Sequence, residues 1–426
     1  MLLHGHRFLV RPGRVWTRER GVLLALLAVV GPGVLAGLSD DDPAGITTYS
    51  ILGADFGYRL LWTLLVSTAA LVLFHELTVR LGIATGKGLV SVIRMRYGTK
   101  AGFSSAGFLV LANLGTTAAE MAGIAAGLEI AGVSRYASVP LAAAAVTALV
   151  LAGTFHRVEI VLLVISFVFV TYIASGLLSH PHWGQAARGL VVPDLPLHRH
   201  AILVATATLG TTLAPWGLAF IQSYAVDKKL KPRDWKFERV DVITGAVSTG
   251  VIGLFIVVAC AETLYRSHKH IHDAKDAAVA LAPLAGHLAS TLFAVGLVGA
   301  GLLAAAILPL STSYSVSEAF GKEGRVDGNL RTEPVFFRTY IAMIGVASAI
   351  VLIPGAPLVP ILFLTQAVNA VMLLPLLAMI AHLTRDKELM GDLQVGRVSA
   401  TAAWATTALI TVTVVALGVF SLLPGL

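Results

Sequence analysis

The sequence predicts an all-α integral membrane protein of eleven transmembrane helices: two five-helix repeats of inverted orientation, with helices 1 and 6 unwound at their middles, plus one extra helix. Three observations predict it. Hydrophobic residues make up 56% of the 426 residues and charged residues only 13%, too little surface charge for a soluble domain and enough apolar surface to require lipid. Apolar runs long enough to cross a bilayer recur along the whole chain. Two of those runs, five spans apart, carry proline and glycine mid-membrane.

A helix needs roughly 20 apolar residues to cross hydrocarbon. Runs of that kind fall at 21–58 (interrupted), 60–80, 103–131, 136–154, 158–178, 201–225 (interrupted), 240–264, 288–319, 337–353, 358–383 and 399–423. The run at 21–38 follows a basic stretch as a signal peptide would, but ten further spans and the polar stretch at 39–48 mark it as a retained helix. The expected organisation is a basic cytoplasmic tail at 1–20, a first repeat at 21–200, a second at 201–383, and a cytoplasmic loop with the eleventh helix at 384–426.

Positively charged loops stay on the cytoplasmic side. Alternating the spans places 24 of the 31 Lys and Arg on one side, in the tail, at 80–100, at Arg157, and at 228–239, 322–338 and 385–397. Arg59, Arg135, Arg188, Arg199, Arg266, Lys269 and Lys275 fall on the other. This predicts an inner-membrane, multi-pass protein with its N-terminus cytoplasmic and its C-terminus extracytoplasmic. The net charge of +7 then reflects topology. No aromatic-interleaved basic patch is present, so no nucleic-acid partner is expected. Cys260, the one cysteine, excludes an internal disulfide and a thiolate metal site. No phosphate loop and no Ser–His–Asp spacing can be read, so neither an enzyme nor a resident cofactor is expected; the bilayer is the expected partner, and the chain is expected to be a monomer.

The first span reads GPGVLAGLSDDDPAGITTYS, with Pro43 and Gly45 behind Asp40, Asp41 and Asp42; the sixth reads ATLGTTLAPWGLAF, with Gly210, Pro215 and Gly217. Proline lacks an N–H and clashes with the preceding turn, so both spans should unwind locally. Unwound backbone inside a bilayer persists only where it lines a buried polar cavity, and paired broken helices at corresponding repeat positions are the plan of many secondary transporters.

A carboxylate in the membrane interior costs at least ~2.5–3.5 kcal/mol, so three in a row need a partner. Asp42, beside the break, is the candidate for direct cation contact; Asp40 and Asp41 either face an access path or cap helix ends. Freed carbonyls near Thr211 and Ala214 and the hydroxyls of Thr47, Thr48 and Thr212 are hard oxygen donors, which suit Mg²⁺, Ca²⁺ or Mn²⁺. On the third span Asn113, Thr117 and Glu120 share one helix face, and Glu120 is expected as a second cavity carboxylate or a gate. On the tenth, Gln366 and Asn369 either reach the cavity or bond between helices. His75, Glu76, Arg80 and Asp241 are expected as inner-gate ion pairs or as interfacial anchors. His268, His270, His272 and Asp273 in the outer loop form either a solvated loop or a collector of transition metal.

These residues also carry a resemblance. Gly31-Pro32-Gly33 followed by Asp42-Pro43-Ala44-Gly45 resembles the first-helix signature of the natural resistance-associated macrophage protein (NRAMP) divalent-metal transporters, Gly-Pro-Gly/Ala and then Asp-Pro-Gly-Asn. FGYRLLW, RLGIATGKGL, Glu120-Met121-Ala122-Gly123, Gln366, LPLL and LTRDKELMG are similar to later family elements at the expected distances. The resemblance implies the fold of amino-acid and neurotransmitter transporters, alternating access, and a midplane metal site at Asp42, Gly45, Thr211 and Ala214.

The departures from the family cluster at that site. The helix 6 Met-Pro-His is Ala214-Pro215-Trp216, so the soft thioether is gone, and Gly45 stands in place of the coordinating Asn. Both changes imply a larger cavity with fewer direct ligands, suited to Mg²⁺, which keeps much of its water. The pattern resembles the NRAMP-related magnesium transporter branch. Thr117 replaces a third-helix Asp, and Trp216 and Ile221 replace two His, so the family's proton relay is missing and uncoupled Mg²⁺ uptake, with Mn²⁺ as a second cargo, is the expected function. The competing expectations are a proton-coupled Mn²⁺/Fe²⁺ transporter, a transporter of a small organic substrate with Trp216 in its pocket, and a non-transporting receptor, which would be expected to carry a soluble output domain.

Overall fold

In a computed structural model, the described residues are Gly37, residues 39–152 and residues 171–422. The tail, the Gly31-Pro32-Gly33 element, Arg157 and most of the fifth span lie outside them. The helices that matter below are α1 (Pro43–Phe56), α2 (Leu61–Thr85), α3 (Leu89–Tyr97), α4 (Thr99–Ile130), α5 (Arg135–Leu151), α6 (Thr171–Leu178), α7 (Trp183–Val191), α8 (Arg199–Thr212), α9 (Pro215–Asp227), α10 (Trp235–Thr263), α11 (Ala289–Ala319), α12 (Pro334–Val351), α13 (Leu358–Leu383) and α14 (Arg397–Leu422). Among the described residues eight helical spans are long and apolar enough to cross a membrane, and α5 is a shorter apolar helix. They match the second to fourth and sixth to eleventh expected spans; α1 and α6 are the described parts of the first and fifth.

Two helices were not expected. α3 forms in the 80–100 loop because Leu89, Val90, Val92 and Ile93 bury one face while Arg94 and Arg96 occupy the last turn, where cations complement the helix dipole. Gly86, at φ +62, ends α2 in the left-handed conformation that glycine adopts at no steric cost. α7 lies among the loops of the opposite face.

α4 packs along α11 and α13, and α1 is surrounded by α10, α8, α13 and α4. Small residues allow the close approaches. A side-chain carbon on Gly123 of α4 would overlap the Pro43 ring, and one on Gly301 of α11 would lie 3.3 Å from it, so two glycines make the socket that receives the first break. Thr249 of α10 donates its hydroxyl proton to the carbonyl of Gly37.

The loops sort into two faces. On one, Arg96 pairs with Asp386 at 2.8 Å and Glu76 with Arg239 at 3.3 Å, and Arg80 donates to the carbonyls of Leu393 and Gln394 at 2.6 and 3.1 Å. On this face the buried Glu318 at the end of α11 accepts the N–H groups of Val90 and Ser91, at 2.9 and 3.2 Å, and the Ser223 hydroxyl at 2.6 Å. It thereby joins α11, the first turn of α3 and the end of α9. On the other face Arg59 pairs with Asp194 at 2.7 Å, a hydrogen bond that holds the Asp194 carboxyl below the usual range. Glu262 there receives Tyr58 and Arg266, each at 2.6 Å.

Candidate cation site

Both breaks put a proline at the first position of the following helix, Pro43 in α1 and Pro215 in α9. There the missing N–H is one of the donors a helix start leaves unpaired anyway. Residues 40–42 separate α1 from what precedes it, and Leu213 and Ala214 separate α8 from α9. The second break is narrower than expected. Gly210 and Gly217 lie inside the helices, because their lack of a side chain serves packing: Gly210 abuts the Gln366 carbonyl and lies 2.7 Å from the Ala370 nitrogen, measured from the position of an added Cβ.

Asp42 is the N-cap of α1. Its Oδ1 accepts the Gly45 N–H at 2.6 Å, and it is 4% exposed. A carboxylate keeps lone pairs for a further partner beyond one cap bond. Around Gly45 the site closes: a Cβ there would meet the Asp40 carbonyl at 2.7 Å, Asp42 Oδ1 at 3.1 Å and the Thr211 hydroxyl at 3.5 Å. The carboxyl of Glu120 faces that of Asp42, and Glu120 is 0% exposed. The structure therefore gathers Asp40, Asp42, Gly45, Thr211 and Glu120 in one place.

Electrostatics favour a cation there. The last carbonyls of α8 have no partner within the helix, and its C-terminal end carries partial negative charge. The positive end of α1 is answered by the Asp42 cap. Both oxygens of Asp40 and of Asp41 are buried without partners. Ala214, Trp216 and Thr211 are 1–3% exposed, so this arrangement is buried. Among the described residues no group of three His, Cys, Asp or Glu is placed to hold a metal ion. A cation here completes its shell with hydroxyls, carbonyls or water.

Other expected residues are placed differently. The Thr47 and Thr48 hydroxyls donate to the Pro43 and Ala44 carbonyls of their own helix, each at 2.8 Å. The Thr212 hydroxyl bonds Tyr49 at 2.9 Å and Ser67 at 3.1 Å, which ties α8 to α1 and α2. Thr117 donates to the Asn113 carbonyl at 2.7 Å, and Asn113 donates to Thr312 of α11 at 2.9 Å. Asn369 donates to Thr116 and to the Gln366 Oε1, both at 2.9 Å, so Asn369 bonds across to α4 while Gln366 bonds within α13. The Trp216 carbonyl accepts from Ser311 at 2.8 Å. Asp241 is buried at the start of α10.

The expected gate residues do not pair as a set. Glu76 binds Arg239 and Arg80 binds the carbonyls named above, because each long side chain takes the nearest partner across the helix ends. His75 stands alone among them, with both ring nitrogens buried and unpartnered. On the opposite face His270 bonds Asp55 Oδ1 and His200 bonds Oδ2, each at 2.7 Å. Sequence reading singled out neither Asp55 nor Glu318, since nothing local distinguishes an interfacial acid that will acquire partners from one left in solvent.

Residues 33–420 match the family described as natural resistance-associated macrophage protein-like. The chain is similar to the divalent metal cation transporter MntH of Yersinia enterocolitica, 28% identical over 379 residues that cover 86% of this chain and 88% of that protein. Its structure resembles that of the Eremococcus coleocola manganese transporter, with a TM-score of 0.72, 21% identity, and coverage of 93% of this chain and 87% of the other. It also resembles Mhp1, a nucleobase-cation-symport-1 family transporter, with a TM-score of 0.57, 13% identity, and coverage of 91% and 90%. The chain therefore belongs to the natural resistance-associated macrophage protein-like family, as a multi-pass membrane protein and not an enzyme.

Proposed function

We propose that this chain moves divalent metal ions across the membrane, carrying Mg²⁺ with much of its water and accepting Mn²⁺ as a second cargo. The observation that supports this is the convergence of Asp42, Glu120, the Asp40 carbonyl and Thr211 around Gly45, an all-oxygen site with Ala214 where a thioether would select softer metals. Mg²⁺ parts reluctantly with water and needs only one or two carboxylates. The metal names carried by the two relatives fit a divalent cargo.

Transport is uncoupled from protons in this reading, because Thr117, Trp216 and Ile221 supply no relay. The membrane potential then drives uptake, worth ~4.6 kcal/mol for a divalent ion per 100 mV. The face that carries most Lys and Arg is the cytoplasmic one, the two five-helix repeats are 21–200 and 201–383, and the protein acts as a monomer in the inner membrane. Liposomes holding the protein and a Mg²⁺-sensitive dye test the assignment: influx is expected, and Asp42→Ala is expected to abolish it. Absent influx, or influx undiminished in the variant, sinks the reading; acidification of the lumen in step with metal entry overturns the uncoupled claim.

A further inference from the structure

Asp40 faces two ways. Its carbonyl closes on Gly45, while its carboxylate points toward the first turn of α9. There the Asp40 Oδ1 lies 3.9 Å, and the His75 Nε2 3.2 Å, from the point a side-chain carbon on Gly217 would occupy. His75 is 0% exposed and Asp40 2% exposed, and none of their four side-chain polar atoms has a hydrogen-bond partner. The two groups thus both face the bare backbone of Gly217 without bonding each other. Burying an ionised carboxylate unpaired is far costlier than burying a neutral polar group.

Glu120 reaches the break from α4, on the Asp42 side; His75 reaches it from α2, on the Asp40 side.

We propose a second cation station beside the first, in which a hydrated divalent ion sits between the Asp40 carboxylate and the His75 imidazole. Asp40 supplies the charge, and a neutral imidazole nitrogen accepts a hydrogen bond from the ion's water. The ion keeps oxygen ligands only, so it belongs to the same hard class as the proposed cargo. The station rests on the cation reading of the Asp42 site, and makes the break a two-ion passage in place of a single binding point.

Mn²⁺ titrated into the purified full-length protein, with free Mn²⁺ counted by electron paramagnetic resonance, tests it. Two ions per chain are expected. Asp40→Asn is expected to lose one and retain the other, and that retained ion shows the variant is folded. His75→Leu is expected to weaken the same ion by about tenfold or more, the usual cost of removing a residue that supports a metal, and His75→Gln, which keeps an acceptor, to restore it in part. One ion per chain in the unaltered protein, lost with Asp42→Asn, would overturn the second station and leave the Asp42 reading standing. Two ions that persist in Asp40→Asn would also overturn it. No ion bound at all would sink both.

Discussion

At the first break, the residue before the proline is Asp42, whose carboxylate caps α1 and stays in the site; at the second it is Ala214, which has no side-chain bond to give. Both breaks begin a helix with proline, yet one contributes charge and the other contributes carbonyls and room. Asp40, Asp41 and Asp42 bring three carboxylates to the first, while the nearest side chains at the second are Thr211, Leu213, Ala214 and the buried Trp216. The division is physically economical. Charge in hydrocarbon is tolerable in one place if a cation visits it, whereas a helix C-terminus offers partial charge that needs no counter-ion when the site is empty.

Replacing Asp42 by Asn separates its two roles, since Asn caps a helix about as well as Asp but carries no charge. Isothermal titration should show Mg²⁺ and Mn²⁺ affinity falling by about 100-fold or more, beyond what loss of a merely supporting residue costs, with thermal stability kept. Retained affinity would mean that the first break is not the charged partner.

Gly45→Ala comes next. Its new carbon would stand 2.7 Å from the Asp40 carbonyl, so the backbone must shift, at about 1–3 kcal/mol for an overpacked site. A lowered melting temperature together with weaker metal binding is expected, and a variant that binds normally would show that the approach of Asp40 to Gly45 is dispensable. A third change acts on the other break: Ala214→Met restores a soft ligand and should move the preference from Mg²⁺ toward Mn²⁺ and Cd²⁺ by about tenfold, one soft ligand gained. Competition uptake in liposomes measures it, and an unmoved ratio would mean that the second break does not set selectivity.

The smallest effect belongs to Thr212→Val. Its hydroxyl joins Tyr49 and Ser67 across three helices, so the variant should lose about 1–2 kcal/mol of stability with metal selectivity unchanged. A changed selectivity would place Thr212 inside the site after all.

The second to fourth and sixth to eleventh spans and both breaks were legible because they rest on strong local signals: apolar length, charged boundaries, and proline, which cannot continue the helix before it. The meaning of the glycines was not legible. Gly210 and Gly217 look in sequence like unwinding residues and stand instead where another backbone or ring comes close, and only the packing distinguishes the two uses. The same holds for Thr212, a hydroxyl equally able to line a cavity or to bridge helices. Glu76 found Arg239 rather than Arg80 because pairing is decided across helices, by reach, and not along them. His270 turned from a loop residue into half of a clasp on Asp55 for the same reason.

Glu318 holds three donors from two elements, and a buried hydrogen bond of this kind contributes about 0.5–1.5 kcal/mol. Because they share one carboxylate, they are released together: moving α9 away from α11 exposes the acid, and moving α3 away exposes it as well. At this face α3 and α9 are thus tied to α11 through one shared buried carboxylate, so displacing either one breaks bonds to the same acid.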